Sequence, residues 1–532
     1  MVYGLTAFYL SRMRERMILM CVLFAVAIAH AAVGTVQFAE GKAFMLFGFV
    51  RSEESRRASG MLISPNHYAG YLETVALFAI SFAFWSRWRI GGKIFTTYIA
   101  LLCWFALALS GSRGGYLTVL VSISFFAAMT LYAVRIADRR RFVQLAILFG
   151  CGIGLVFAGA AFLMMHSELL AERIHMIGDK DVRIYNWMAA LDQFRLSPWI
   201  GTGAGTHLFY GRLFRRPPLQ ADPIHAHCDY LELLSEYGVA GTVAMAFFIF
   251  AHLRNGLQNF SFLLLKRLRG ARARRSNSFA LNLGALCAVV AMAAHSLVDF
   301  NLHIPGNALV FAFIFGILAS PQSSKNTNEE KIGALFRFAL PIFGIWMVLV
   351  GLPKIPAEYC AEVSRIALRN KNFARCIEYA RRGLGEASTD GRQIDRLIRR
   401  FGGEPENPDL YFYIGEANRA LALASHHPTL QRSYLLAATE AYQRGLIVFP
   451  QDENTLVRLG QTLDGLSRHE GADEVYIKAI QADSQLGLIY GYYGSHLEAM
   501  GQSTRAKEAY RKGNLLSSQQ IDHLGRSELG LP

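Results

Sequence analysis

The chain is 532 residues long and 53% hydrophobic, with a mean hydropathy of +0.25 and a formal net charge of +14. That apolar excess excludes an ordinary soluble protein of this size, and it is concentrated in the first 352 residues. Seven cysteines are scattered without a CxxC pair, so neither a disulfide framework nor a metal framework is indicated.

A bilayer-spanning helix needs about 20 mostly apolar residues. Nine windows meet the requirement, near 17–36, 69–86, 94–110, 115–134, 142–165, 237–253, 279–298, 306–320 and 334–352. The first span follows a basic start and runs on without a small-residue cleavage site, so no cleavable signal peptide is expected. Basic residues fill every second loop: Arg12, Arg14 and Arg16, then Arg87, Arg89 and Lys93, then Arg135 and Arg139–Arg141, then Lys266–Arg275, then Lys325 and Lys331. This is the positive-inside pattern. It places the N-terminus in the cytoplasm and leaves loop 166–236 and the C-terminal tail outside. The positive charge is thus an orientation code, and no nucleic-acid partner is expected.

The first outer loop carries Arg57-Ala-Ser-Gly60 and Ser64-Pro-Asn66-His67. Ser110-Gly-Ser112-Arg113-Gly-Gly115 ends the third span. An arginine among small residues at a membrane boundary is either a snorkelling anchor or an anion site. The long loop then presents a helix from Asp181, its N-cap, to about Leu196, with Ile184, Trp187, Met188, Leu191 and Phe194 on one face. Arg183 opens that helix, where the dipole disfavours a cation. An anionic ligand or a neighbour such as Asp179 would compensate equally well. Gly201, Gly203 and Gly205 lack the strand a dinucleotide fingerprint requires, so they read as a turn or a tight backbone approach.

His225 and His227 precede a helix beginning CDYLELLSEYG. Two histidines two apart could ligate metal, but no third ligand stands at a recognised spacing, so no metal is expected. A neutral imidazole here could serve as a general base or simply tie down the loop. Arg212, Arg215 and Arg216 share the loop, and Asp299-Phe-Asn301-Leu-His303 lies outside after the seventh span.

After Pro353 and Pro356 the composition turns water-soluble and helical. Tyr442, Tyr476 and Tyr510 are 34 residues apart, as are Arg444, Lys478 and Lys512. That period resembles the tetratricopeptide repeat, which stacks helix pairs around a concave binding face. Phe373–Leu384 reads as a degenerate copy, separated from the others by an irregular segment over 385–432. The expected fold is therefore all-α: a polytopic bundle of about nine spans over 1–352, then a repeat domain over 353–532.

Several phrases, in order over roughly 50–320, resemble the O-antigen ligase and O-antigen polymerase superfamily. RASGMLISPNHYAGYL is similar to its R-x-S-G…P-N segment, and SGSRGG to its arginine turn. RIYNW…SPWIGTGAGTHLF resembles its R-x-x-x-W…G-x-G stretch. HAHCDYLELLSEYGVAG resembles H-N-x-Y-L…E-x-G-x-x-G, with Cys228 where asparagine is usual, and HSLVDFNLHIPGNALVFA resembles a late-span segment. Only one span precedes the Arg57–Asn66 segment, where relatives usually have several.

The resemblance implies metal-independent, inverting glycan transfer without a cofactor. The donor would be an undecaprenyl-diphosphate glycan at the outer face of the bacterial inner membrane. The acceptor would be lipid A core, growing polysaccharide or protein. It gives His227 the acceptor-activating role and Arg183 and Arg113 the diphosphate. Arg212, Arg215, Arg216 and His225 follow as further substrate-binding candidates. The repeat tail fits a protein partner. Two other classes remain open: a non-catalytic membrane-anchored scaffold for envelope assembly, and a transporter, which would want ionisable residues at midplane where these spans offer few.

Overall fold

A computed structural model describes residues 1–10, 12–40, 57–62, 64–137, 139–166, 182–269, 275–320, 327–386 and 393–519. Every regular element among them is helical. Seven helical stretches among the described residues are long and apolar enough to cross a membrane: Met13–Glu40, Pro65–Trp85, Ile90–Ser110, Arg113–Ile136, Asp229–Lys266, Asn277–His295 and Phe338–Arg369. Of the nine expected windows one differs and one lies partly outside the described residues. The window at 306–320 forms Pro305–Ala319, only 15 residues long and short of a full crossing. The window at 142–165 lies in the helix Arg139–His166, most of whose side chains from residue 153 onward are outside the described set.

The chain divides into two compact units: Met1–Leu208 with Ile224–Pro341, and Phe209–Pro223 with Ile342–Ile521. In the first, Pro65–Trp85 and Asn277–His295 are the most enclosed spans. Ser64 caps the former, accepting from the Asn66 N–H, and Pro65 takes the first helical position where its missing donor costs nothing. These two helices touch directly. The Ser81 hydroxyl donates to the Ala280 carbonyl at 2.6 Å, and Gly284 meets Phe78 so closely that a Cβ there would lie 2.7 Å from the ring. Close approach over small residues is how apolar helices associate without a hydrophobic driving force. Outer helices instead expose Phe105, Leu117, Val243 and Phe247, as a lipid-facing surface requires.

Asp229–Arg269 is broken at Gly238, whose φ of 63° and ψ of −167° leave the helical region. The break orphans carbonyls of the preceding turn. The Pro198–Gly205 loop fills it: Thr202 N–H donates to Ser235 O, Gly203 N–H to Glu236 O, and in return Val239 and Ala240 N–H donate to Pro198 O and Trp199 O. The approach is so close that a Cβ on Gly201 would lie 2.2 Å from the Glu236 carbonyl, and one on Gly238 2.5 Å from Trp199 C. Gly201 thus serves close backbone packing, and all three alternating glycines have positive φ.

The second unit pairs its helices in sequence: Ile355–Arg369 with Phe373–Gly383, Pro408–Ala424 with Pro428–Val448, Glu453–Gly465 with His469–Ala482, and Gly487–Ala499 with Ser503–Ser518. In the last three pairs a glycine of the first helix receives a tyrosine ring of the second: Gly415 takes Tyr442, Gly460 takes Tyr476, and Gly494 takes Tyr510. The segment expected to be irregular over 385–432 is in fact largely helical, holding Gln393–Phe401 and Pro408–Ala424. The helix Pro408–Ala424 escaped the 34-residue period because its Gly415 lies 27 residues before Tyr442, whereas the later glycines lie 16 before their tyrosines.

Candidate active site

The helix Arg183–Leu196 begins after Val182, and the expected cap Asp181 lies outside the described residues, as does Asp179. Its Trp187 indole N–H donates to the His227 carbonyl at 3.4 Å. Its Gln193 bonds the His207 ring at 2.9 Å, and burial pushes that imidazole down to about 4, keeping it neutral. His207 N–H in turn donates to Glu236, so this helix, the glycine loop and the broken helix are tied together.

The His225–His227 loop is folded back on the helix that follows it. Glu232 accepts from the Ala226 N–H and pairs with His225 Nδ1, both at 2.8 Å. Asp229 anchors the other side: its N–H donates to the carbonyls of Ser296 and Asp299, and its carboxylate accepts from the Ser296 hydroxyl and meets His303 at 3.1 Å. That hydrogen bond to Asp229 raises the His303 imidazole above its ordinary value. Between these clamps His227 is held at φ 53°, a left-handed conformation rare for a residue with a Cβ. Such strain persists where the surroundings enforce it, and it gathers at functional sites.

Asp299 is the hub. His227 Nδ1 lies 3.6 Å from its Oδ1, His67 Nε2 3.8 Å from the same atom, and His295 Nε2 4.0 Å from Oδ2. Behind it His295 bonds Glu73 at 3.0 Å, both side chains 1% exposed. Burial alone would raise the Asp299 carboxyl, but its neighbours His227, His295 and Arg183 outweigh it and hold it well below the usual carboxylate range. Phe300 stacks on His225 at 4.1 Å and meets His227 and His67 edge-on at 4.8 and 4.6 Å. The His227 side chain is 36% exposed although its Nδ1 is buried, so the open edge of the ring is the Nε2 side. A carboxylate behind one imidazole nitrogen and access at the other is the arrangement of an oriented general base.

Arg113 starts its helix beside this hub, because its neighbour Gly114 abuts His295, where a Cβ would lie 3.4 Å from Nε2. The turn before it is held by Arg57, which donates to Ser110 O at 2.8 Å and to Asn66 at 2.9 Å. The fold thus gathers Arg183, His225 and His227 and sets Gly114, next to Arg113, against His295, from phrases far apart in sequence.

Arg212, Arg215 and Arg216 belong to the second unit. Arg212 pairs with Glu453 at 2.8 Å and Asp222 at 3.1 Å, and Arg215 with Asp483 at 2.6 Å, while Arg216 is exposed.

Sequence reasoning assigned no role to Asp299, His303, His67, Glu73, His295 or Glu232. The first three were visible only as polar residues of outer loops. Glu73 and His295 had a usable signal, since an ionisable residue inside an apolar span marks a functional position. The fold also supplies what spacing lacked for a metal: donor atoms of His225, Glu232 and His303 lie within 4.8 Å of one another, as do those of Asp464, His469 and His496 in the second unit.

Residues 98–246 match the family model of O-antigen ligase. The match takes in Arg113, Arg183, His225 and His227, and it supports the O-antigen ligase superfamily and a membrane glycosyltransferase-like role in polysaccharide assembly. No curated protein matches the chain.

Proposed function

We propose that the protein is an inner-membrane glycosyltransferase of the O-antigen ligase or polymerase type. It moves a glycan from undecaprenyl diphosphate to an acceptor hydroxyl at the periplasmic face, without a metal. His227 Nε2 takes the hydroxyl proton as the acceptor oxygen bonds the anomeric carbon. The bond from that carbon to the diphosphate oxygen breaks on the opposite face, so the configuration inverts. Asp299 stabilises the imidazolium that forms, as a buried carboxylate does in other base-assisted transfers. Arg183 and Arg113 hold the departing diphosphate, whose charge needs fixed cations.

One observation carries this reading: His227 and Arg183, supplied by different elements, both converge on Asp299. The clamp residues His225, Glu232, His303 and Asp229 bond one another, which supports a structural rather than a metal-binding use for them. The acceptor is lipid A core, growing polysaccharide or a protein. A tetratricopeptide-like second unit favours a protein partner. Removing the protein from its cell should leave an undecaprenyl-linked glycan accumulating while one acceptor loses its sugar. Unchanged lipid-linked glycan pools would refute the proposal.

A further inference from the structure

The second unit already holds a ligand, and it is a segment of this chain. Residues 209–223 are grouped with the helix pairs. Arg215, 0% exposed in its side chain, donates to the equally buried Asp483 at 2.6 Å and to the carbonyls of Leu219 and Ala221 at 2.8 and 2.6 Å. Arg212 reaches Glu453 at 2.8 Å, at the start of the helix Glu453–Gly465. Gln220 works at the start of the next first helix, Gly487–Ala499: its amide donates to Gln485 O at 2.9 Å and its oxygen accepts from the Gly487 N–H at 2.8 Å. Bidentate side chains aimed at successive helix N-termini fix both register and direction.

We infer that this clasp is a positioning device for the transfer, with Arg215 and Asp483 as positioning residues. The inference rests on the role proposed above for His227. The chain leaves the clasp at Pro223 and reaches His225 two residues later, so there is no slack in which movement of the segment could be absorbed. Breaking the buried pair from the Asp483 side leaves Arg215 only the partly exposed Asp222, at 3.4 Å, as a counter-charge, which favours the segment leaving its seat. Such a segment would pull on a loop whose histidine is held in a strained backbone conformation. A displacement near 1 Å at a reacting group costs about 100-fold in rate.

The test uses the full-length protein and compares Asp483→Asn, Gln220→Ala, Arg215→Glu, Asp483→Arg and the double exchange of the last two. Amide hydrogen exchange and glycan transfer are followed in parallel. In the wild type the Ala226 and Asp229 amides are bonded to Glu232 and Ser296, so their exchange reports on the loop directly. Asp483→Asn should speed exchange at least tenfold (order of magnitude) in both 209–223 and 224–229. Exchange in the helix Glu453–Gly465 should stay as it was, and transfer should fall about 100-fold. Gln220→Ala should shift both in the same direction by less, and the double exchange should restore part of what each charge reversal loses. A loss of fold would instead accelerate exchange throughout the second unit. Unchanged exchange at 224–229 in both Asp483→Asn and Gln220→Ala, whatever the transfer rate, would overturn the inference. A wild-type protein that transfers nothing would overturn the proposed function, and the exchange comparison would still decide whether the clasp positions the loop.

Discussion

Asp299 is 1% exposed and faces three imidazoles, and its carboxylate Oδ1 also accepts from the Phe300 N–H. Asp299→Asn keeps the shape and removes the charge that orients and stabilises His227. Transfer should fall by about 10²–10⁴-fold with protein level nearly unchanged, read in membranes against the wild type. Arg183→Lys should lose most activity too, because an ammonium cannot reproduce the guanidinium fork on a diphosphate. The clamp has a pH signature. His303 is raised by Asp229, so the stability it contributes is fully present below the ordinary histidine value near 6.5 and is lost as pH rises through its raised value. Thermal stability should therefore decline as pH rises past about 6.5, and His303→Gln should flatten that slope. A slope unaffected by the variant would contradict the assignment. His227, Arg183 and Arg113 stood out as candidates because each sits in a distinctive phrase. Glu73 and His295 carried a signal as ionisable residues inside apolar spans, but a hydropathy window averages a single polar residue away.

Gly201, Gly238, Gly205 and Gly460 grade the packing of elements. A Cβ on Gly201 or Gly238 would strike backbone at 2.2 and 2.5 Å, both at positive φ. Alanine at either should cost well beyond the roughly 1–2 kcal/mol of left-handed strain, because backbone cannot move aside cheaply. Gly205→Ala has the same kind of φ, 70°, but nothing within 4 Å, so it should cost only that strain. Gly460→Ala, at 2.8 Å from the Tyr476 ring, should cost about 1–3 kcal/mol through overpacking. Thermal unfolding of the four variants measures the series, and equal losses at Gly201 and Gly205 would contradict it. The glycines announced a tight approach in sequence, but not their partner. The interlock between Pro198–Gly205 and the break at Gly238 needs a contact 33 to 41 residues away, which no local pattern encodes. The same applies to the helix Pro408–Ala424, whose Gly415 keeps its contact with Tyr442 at a spacing that the 34-residue period does not predict.

Across the whole molecule, the alternation of basic loops predicts the N-terminus inside and residues 353–532 outside. An alkaline phosphatase reporter joined after residue 518 should be active and a fluorescent-protein reporter there dark; the reverse pattern would contradict the orientation. The apolar bundle was readable from hydropathy alone, because a bilayer requires long uniform windows. The division of the long loop was not. Its residues 209–223 carry charges whose partners, Glu453 and Asp483, lie more than 200 positions away, so Arg212 and Arg215 could not be told from substrate-binding arginines by sequence.

His227 is proposed as the base of a metal-independent glycan transfer. This role is tested most directly with purified protein in proteoliposomes, an undecaprenyl-diphosphate glycan and its acceptor, comparing wild type, His227→Ala and His225→Ala with and without a chelator. The account predicts transfer that survives chelation and falls about 10²–10⁴-fold in His227→Ala. His225→Ala should lose less, since His225 pairs with Glu232 in the clamp. Near-normal transfer by His227→Ala would contradict it.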